Sequence, residues 1–244
     1  MNTACIPPVI ENESPKPSQG AIALFVKTPG LSPVKTRLAA SLGTDAAETL
    51  HLTAAQSVTS VIADACQQIP LQGYYAVAEV GALDHWYWQA LPTVWQGEGG
   101  LGERMGLIYE QLLQRHPYVL LVGADIPQMT SRQVCDCAHW LSATDFSRFA
   151  FGPSFDGGFW LFGGNRRLSQ ALWTHISYSQ PDTGEQFLNA IAPFGDIFQT
   201  DSLQDADELA DLVRVMSALE ALVKPTPEQQ KMTDFLTQLT LTNC

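Results

Sequence analysis

Three cations lie close together in one loop of an otherwise acidic chain. Lys27, Lys35 and Arg37 fall within eleven residues, and after Arg37 no lysine or arginine appears until Arg104. The formal net charge of the chain is −12. Lysine supplies a compact positive charge and arginine a planar fork of donors, which together suit a phosphate group. The loop is therefore a candidate phosphate-binding site, and the alternative is a set of solvated surface cations.

The elements around this loop place it at the end of a strand. Residues 21–26 are apolar throughout and have the length of a buried β-strand. Pro29, Gly30 and Pro33 break the chain before residues 34–38 can begin a helix. Open α/β sheets usually bind ligands at the carboxyl ends of their strands, so the cations are expected at such an edge.

A glycine-rich loop at residues 96–104 is the second unusual stretch. It contains Gly97, Gly99, Gly100 and Gly102 and ends at Arg104. Glycine allows the backbone to approach a ligand closely or to adopt positive φ. The loop is therefore a candidate ligand wall, and the alternative is a flexible surface turn.

Two carboxylates follow later strands in a similar way. Residues 118–123 have the pattern of a buried strand and lead to Asp125, while residues 148–152 lead to an Asp-Gly-Gly sequence at 156–158. A buried carboxylate is costly without a partner, and a hard divalent cation prefers carboxylate oxygens. Asp125 could instead cap a helix, and the Asp-Gly-Gly sequence could form a hairpin turn.

Composition limits the class of protein. At 244 residues, with 45% hydrophobic and 16% charged residues, the chain predicts one globular domain over residues 21–244. Residues 1–20 contain four prolines among polar residues, which predicts a disordered extension. A pI near 4.6 argues against a nucleic-acid partner. With neither a signal peptide nor a long apolar segment, the sequence predicts a cytoplasmic protein without membrane contact.

The five cysteines are scattered along the chain, so reduced thiols are expected rather than a disulfide framework. Cys135, Cys137 and His139 could suggest zinc. Helical spacing, however, puts positions 135 and 139 on one face and 137 on another, which disfavours a zinc site.

Strand and helix patterns alternate along most of the sequence. Strands are predicted over residues 21–26, 71–78, 93–96, 118–123, 148–152 and 159–162, and helices over 44–68, from 101, and over 131–141, 181–192, 204–223 and 228–239. This alternation favours a mostly parallel sheet with helices on its faces. The acids at 205–208 are interpreted as the first turn of a helix.

Four stretches occur together at the spacing of one family. They are Lys27-Thr28-Pro29 with Val34-Lys35-Thr36-Arg37-Leu38, Gly99-Gly100-Leu101-Gly102-Glu103-Arg104-Met105, Val122-Gly123-Ala124-Asp125-Ile126-Pro127, and Gly152-Pro153 with Asp156-Gly157-Gly158. Over about residues 21–212 the chain resembles the glycosyltransferase-A-like family of domain of unknown function 2064. That family is similar to nucleotide-diphospho-sugar transferases and to molybdenum-cofactor guanylyltransferase. The resemblance implies a three-layer α/β/α Rossmann-like fold with a nucleotide over the first strands.

The resemblance also implies roles for particular residues. Asp125 would hold Mg²⁺ or Mn²⁺. Metal-dependent glycosyltransferases of this fold usually carry Asp-x-Asp, whereas Ile126 and Pro127 follow here, so the second metal ligand would be Asp156 or Asp207. The nucleotide and its phosphates would contact Lys27, Lys35, Thr36, Arg37, Gly99, Gly100, Gly102, Arg104, Gly157 and Gly158.

These roles predict a transferase. The first expectation is metal-dependent glycosyl transfer from a nucleotide-diphosphate sugar to a small-molecule acceptor, with Lys35, Asp125 and Asp156 catalytic. Lys35 would stabilise the departing diphosphate, and Asp156 would act as general base or second metal ligand. A single Asp125 also fits a nucleotidylyltransferase that joins a nucleoside triphosphate to a phosphorylated acceptor. A nucleotide-binding module without catalysis is the third possibility.

Overall fold

The computed structural model describes residues 19–142 and 146–242. The strands in this part of the chain are β1 (Gly20–Val26), β2 (Leu71–Val77), β3 (Thr93–Trp95), β4 (Val119–Gly123), β5 (Arg148–Pro153), β6 (Phe159–Gly164) and β7 (Asp196–Gln199). The helices are α1 (Thr36–Leu42), α2 (Thr44–Gln68), α3 (Leu101–Leu113), α4 (Ser131–Ser142), α5 (Gln170–His175), α6 (Thr183–Ile191), α7 (Leu209–Glu220) and α8 (Pro227–Thr242). Of the predicted extension, residues 1–18 lie outside the described residues, and Gly20 already belongs to β1.

The strands form one seven-stranded sheet in the order β3-β2-β1-β4-β6-β5-β7. All neighbouring pairs are parallel except those of β6, which runs antiparallel to both β4 and β5. In the register between β1 and β4, Phe25 lies opposite Gly123. The residues that follow these two strands therefore leave the same edge of the sheet side by side.

Helices cover both faces of the sheet, and β1 contributes to both layers. Ile22 and Leu24 pack with the core of α2 and α4, whereas Ala21 and Ala23 pack with the core of α3, α5 and α6. This alternation is what a strand buried on both faces requires. The predicted three-layer α/β/α fold with a mostly parallel sheet is confirmed.

A third apolar cluster joins the terminal helices to α2. Leu38 of α1 and Leu50 of α2 are fully buried and pack with Leu212, Leu219 and Met232 of α7 and α8. Burial of side chains of this size stabilises the fold by roughly 1.5–3 kcal/mol each. Leu38 therefore anchors the cation-containing loop that precedes it.

The predicted helix over residues 204–223 begins later than expected. α7 starts at Leu209, after Glu208, which has extended backbone at φ −128° and ψ 163°. The interpretation of residues 205–208 as a helical first turn is wrong, because the N–H of Ala206 donates instead to the carbonyl oxygen of Asp125 at 3.0 Å. This long-range hydrogen bond keeps the segment extended beside β4.

Two elements were not predicted from the sequence. α5 is only one and a half turns long, and β7 is a four-residue edge strand paired with β5. Neither segment carries a long enough hydrophobic repeat to be recognised. In the described part of the chain, no helix combines the length and apolarity needed to cross a membrane.

Candidate active site

A cavity of about 420 Å³ opens at the carboxyl ends of β1 and β4. Its walls are formed by Phe25, Val26, Lys27, Pro33, Val34, Lys35, Thr36, Arg37, His51, Gln96, Leu101, Gly123, Ala124, Asp125 and Asp207. The three cations of the β1 loop and Asp125 thus line one cavity. The parallel register of β1 and β4 accounts for this arrangement.

Lys35 is buried between two carboxylates. Its Nζ donates to Oδ2 of Asp125 at 2.9 Å and to Oδ1 of Asp207 at 2.7 Å, and only 6% of its side chain is exposed. Burial alone would lower the pKa of Lys35, but the charges and hydrogen bonds of the two aspartates outweigh burial and raise that pKa. Lys35 is therefore charged, and its ammonium links Asp125, which follows β4, to Asp207 in the segment before α7.

Lys35 has left-handed backbone, with φ and ψ both at 45°, which is uncommon for a residue with a side chain. It immediately precedes α1, whose buried Leu38 fixes the helix on the core. This conformation turns the chain sharply at the point where the ammonium meets the two carboxylates. Strain of this kind is found preferentially at functional sites.

Asp125 keeps its charge because of Lys35. Burial opposes ionisation, but the ammonium charge and hydrogen bond of Lys35 lower the pKa of the Asp125 carboxyl. About 36% of its side chain remains exposed. An ionised carboxylate is thus accessible from the cavity.

The pKa of Asp205 shifts in the opposite direction to that of Asp125. Burial and repulsion from Asp125, Asp156 and Asp207 raise the pKa of its carboxyl to about 8, although a hydrogen bond from Ser154 partly opposes this. Sequence reasoning missed Asp205 as a site residue. The Asp-x-Asp spacing at 205–207 is the signal for it, but the same residues also fit the start of a helix.

A second cavity, of about 260 Å³, lies beside the first and shares Arg37 and Asp207 with it. Its other lining residues are Phe155, Asp156, Gln204, Asp205, Glu208, Asp211 and Arg214. Asp156 is exposed and lies here, next to Asp205, rather than on the first cavity. Asp207 is therefore the carboxylate that the structure brings to Asp125, through Lys35.

The Asp-Gly-Gly sequence forms the turn between β5 and β6. Oδ1 of Asp156 accepts a hydrogen bond from the N–H of Gly158 at 2.9 Å. Gly157 has φ 89°, and a Cβ there would overlap the carbonyl group of Pro181. The glycine at 157 is thus required by the fold itself. Both glycines line a separate cavity of about 300 Å³ on the α6 side.

Two of the predicted phosphate ligands have guanidinium or ammonium groups that a ligand can reach. Lys27 is exposed and forms no ion pair with any described residue. Arg37 is 70% exposed, and its contact with Glu208 is long, at 3.4 Å. Thr36 is exposed on the same wall. These residues leave positive charge and a hydroxyl group facing the cavity.

The glycine-rich loop contributes Gln96 and Leu101 to the wall of the 420 Å³ cavity. The N–H of Gly100 donates to Glu103 at the start of α3, and Nε of Arg104 donates to the carbonyl oxygen of Gly99. A Cβ at Gly102 would overlap the carbonyl oxygen of Trp173, so this glycine permits close packing of α3 and α5. The predicted ligands in this loop, Gly99, Gly100, Gly102 and Arg104, do not line the 420 Å³ cavity.

His51 of α2 and Gln96 at the start of the glycine-rich loop also line the cavity, although neither is among the individual residues predicted for the site. The side-chain amide of Gln96 donates to the carbonyl oxygens of Val26 and Ala76. Nε2 of His51 is 2.9 Å from the carbonyl oxygen of Lys27. Burial lowers the pKa of His51 and so favours its neutral ring. Because a carbonyl oxygen can only accept, Nε2 is the donor in this contact.

The carboxylates suit a hard divalent cation by their chemistry. Asp125, Asp205 and Asp207 supply oxygen donors of the kind that Mg²⁺ and Mn²⁺ prefer, and burial followed by repulsion from the neighbouring carboxylates raises the pKa of Asp205. Within the described residues no three ligating side chains surround a single point. The cation lying between Asp125 and Asp207 is the Lys35 ammonium.

The cysteines of α4, Cys135 and Cys137, do not line either cavity of the candidate site. Cys135 and Cys137 are buried, and burial raises the pKa of both thiols, that of Cys137 to about 12. His139 is exposed on the same helix. The three side chains therefore do not share a surface.

Residues 63–180 match the family described as "Uncharacterized protein conserved in bacteria (DUF2064)". The matched region contains Asp125, Asp156 and the glycine-rich loop. It ends before the acidic segment at 204–208 and begins after the cation-containing loop. The resemblance inferred from the sequence motifs is confirmed by this match.

Solved structures share the fold. A crystal structure from Desulfovibrio desulfuricans G20, described as a "putative nucleotide-diphospho-sugar transferase", has a TM-score of 0.76 at 21% identity and covers 91% of this chain and 98% of its own. A 4-diphosphocytidyl-2C-methyl-D-erythritol synthase from Anaerococcus prevotii DSM 20548 has a TM-score of 0.50 at 9% identity, covering 83% and 99%. A cytidylyltransferase from Leptospira borgpetersenii also has a TM-score of 0.50 at 9% identity, covering 93% and 95%. No curated protein matches the chain.

Proposed function

We propose that the protein is a transferase that uses an activated nucleotide donor, and that it transfers a glycosyl group from a nucleotide-diphosphate sugar. The observation that carries this proposal is the meeting of Lys27 and Arg37, both accessible, with the buried Lys35–Asp125–Asp207 cluster in one cavity. The Desulfovibrio desulfuricans structure that shares the fold is described as a "putative nucleotide-diphospho-sugar transferase", which agrees with this proposal.

The donor phosphates would contact the cationic wall of the cavity. Lys27 and Arg37 supply positive charge there, and Thr36 supplies a hydroxyl donor. A departing diphosphate gains negative charge, and fixed positive groups stabilise such a leaving group more strongly in the transition state than in the ground state. Asp125 and Asp207, with Asp205 beside them, would hold Mg²⁺ or Mn²⁺, which when bound supplies further positive charge for the leaving group.

The acceptor would occupy the second cavity. It adjoins the first through Arg37 and Asp207, so a hydroxyl group bound there lies next to the donor. Asp156 is exposed within it, and Gly158 engages only one of its carboxylate oxygens. We assign Asp156 as the group that takes the acceptor proton.

The test is a screen of nucleotide-diphosphate sugars with Mn²⁺ and small hydroxylated acceptors. Release of nucleoside diphosphate and formation of a glycosylated product, identified by mass spectrometry, are expected for one donor class. Donor binding without any turnover across a broad panel would instead indicate the nucleotide-binding module. A thermal-shift panel with and without Mn²⁺ detects such binding, since a ligand at a hundred times its Kd stabilises by about 2.7 kcal/mol.

Nucleotidyl transfer is the second candidate, and one observation favours it. A single aspartate follows β4, and its carboxylate partner comes from late in the chain, at Asp207. The two cytidylyl-transferring enzymes named above share the fold. In this case nucleoside triphosphates with a phosphorylated acceptor would release pyrophosphate, and nucleotide sugars would not be cleaved to nucleoside diphosphate.

A further inference from the structure

Lys35 differs from the other cations of the cavity in what it contacts. Its ammonium group lies within hydrogen-bond distance of both Asp125 and Asp207 and is almost fully enclosed. Arg37, two residues on, is largely exposed. Lys35 therefore contacts two carboxylates, whereas the sequence motif predicts a phosphate ligand.

The Lys35 ammonium lies between the two carboxylates that a divalent cation would also bind. Asp125 and Asp207 would hold a metal ion through their carboxylate oxygens, which are the ligands that Mg²⁺ and Mn²⁺ prefer. Two cations at neighbouring positions repel each other by several kcal/mol at the effective dielectric of a protein surface. Mg²⁺ or Mn²⁺ and the Lys35 ammonium therefore compete for the same pair of carboxylates.

We propose that Lys35 is an internal competitor of the divalent cation: it holds Asp125 and Asp207 together in the metal-free protein and is displaced when the metal binds. The proposal rests on the metal site of the proposed function but not on the identity of the substrate. Because Lys35 lines the cavity, its displaced ammonium can meet the donor phosphates. Metal and nucleotide should accordingly strengthen each other's binding.

The test is a titration of the full chain with Mn²⁺ alone, followed by the electron paramagnetic resonance signal of the free ion. Lys35→Met is expected to bind Mn²⁺ at least about tenfold more tightly than the wild type, because the competing charge is gone. Lys27→Met is the matched control, since it removes an exposed cation from the same cavity that pairs with no carboxylate among the described residues. Its affinity for Mn²⁺ should change by less than about threefold.

Unchanged or weaker Mn²⁺ binding by Lys35→Met would overturn the proposal, because removal of a cation that competes for the same carboxylates must tighten binding. If this variant does not fold in EDTA, recovery of its circular dichroism on addition of Mn²⁺ supports the proposal, and no recovery at saturating Mn²⁺ overturns it. Tighter Mn²⁺ binding with no donor turnover would remove only the proposed function. Turnover without the affinity change would remove only the role given to Lys35.

Discussion

The backbone N–H of Ala206 donates a hydrogen bond of 3.0 Å to the carbonyl oxygen of Asp125. This contact places the extended segment before α7 directly beside the end of β4. On the other side of the segment, Leu203 pairs with Ser154 after β5. Backbone pairing on both sides thus sets the positions of Asp205 and Asp207, and with them the acidic half of the site.

Replacing Asp125 should separate catalysis from folding. Asp125→Asn keeps the size of the side chain but removes the charge that faces Lys35, and Asp207 still pairs with that lysine. We expect turnover of the donor to fall by roughly 10²–10³-fold, the usual cost of losing one electrostatic catalytic group. Steady-state kinetics with Mn²⁺ measure the change, and the melting temperature checks the fold.

Asp136→Asn is the control for this prediction. Asp136 is an exposed aspartate of α4 that pairs loosely with Arg132 at 3.7 Å, and it lies outside both cavities of the candidate site. It should retain wild-type turnover. Full activity of Asp125→Asn would show that the carboxylate has no part in the reaction.

Gly157 and Gly158 should respond very differently to alanine. At Gly157 the added Cβ would overlap the Pro181 carbonyl group, and φ is 89°. At Gly158 it would meet only a movable carboxylate oxygen of Asp156, at 3.1 Å. We expect Gly157→Ala to lower the free energy of unfolding by more than about 2 kcal/mol and Gly158→Ala by about 1 kcal/mol or less. Urea unfolding measures the free energy of unfolding of both variants. An equal decrease in the two variants would contradict the prediction.

The sequence predicted the parts of the site that depend on parallel strands. Lys35 and Asp125 each follow a buried apolar run, and parallel neighbours necessarily bring such ends to one edge. It could not predict that Ala206 pairs with Asp125, because an acidic stretch before an apolar repeat also fits a helix start. It could not predict the individual positions of Gln96 and His51 in the cavity either, since these arise from packing and from long-range hydrogen bonds to backbone carbonyls.

Removing a reachable cation should weaken donor binding. Arg37→Met deletes a guanidinium that is only loosely paired with Glu208, and we expect the donor KM to rise by about tenfold, equivalent to about 1.4 kcal/mol of lost binding. Raising the ionic strength should weaken donor binding less in this variant than in the wild type. Lys224→Met, at an exposed position between α7 and α8, is the control and should leave KM unchanged.

Asp205 should make the metal-free protein less stable as pH rises. Its folded pKa of about 8 lies above the ordinary value of 3.8, so between these values the folded state binds the proton and the unfolded state does not. The free energy of unfolding therefore falls with rising pH in this window, by at most about 1.4 kcal/mol per pH unit. Asp205→Asn should flatten the dependence in EDTA.

Asp201→Asn serves as the comparison for this measurement, because Asp201 is an exposed aspartate of the same connecting segment. Its pH dependence of stability should follow that of the wild type. A wild-type stability that rises steadily between pH 6.5 and pH 8 would contradict the role given to Asp205.

His51 should make the protein less stable as pH falls, whereas Asp205 makes it less stable as pH rises. Burial, together with the charges of Lys35 and Lys27, lowers its pKa from the ordinary value of 6.5, so below pH 6.5 the unfolded state gains a proton that the folded state excludes. Stability from this group is complete above pH 6.5 and is lost as pH falls towards the folded pKa. His51→Gln should reduce that loss, measured as melting temperature from pH 7.5 to pH 5. His139→Gln, which changes an exposed histidine of α4, is the control and should retain the wild-type profile. If His51→Gln also retains that profile, His51 does not contribute to the acid sensitivity.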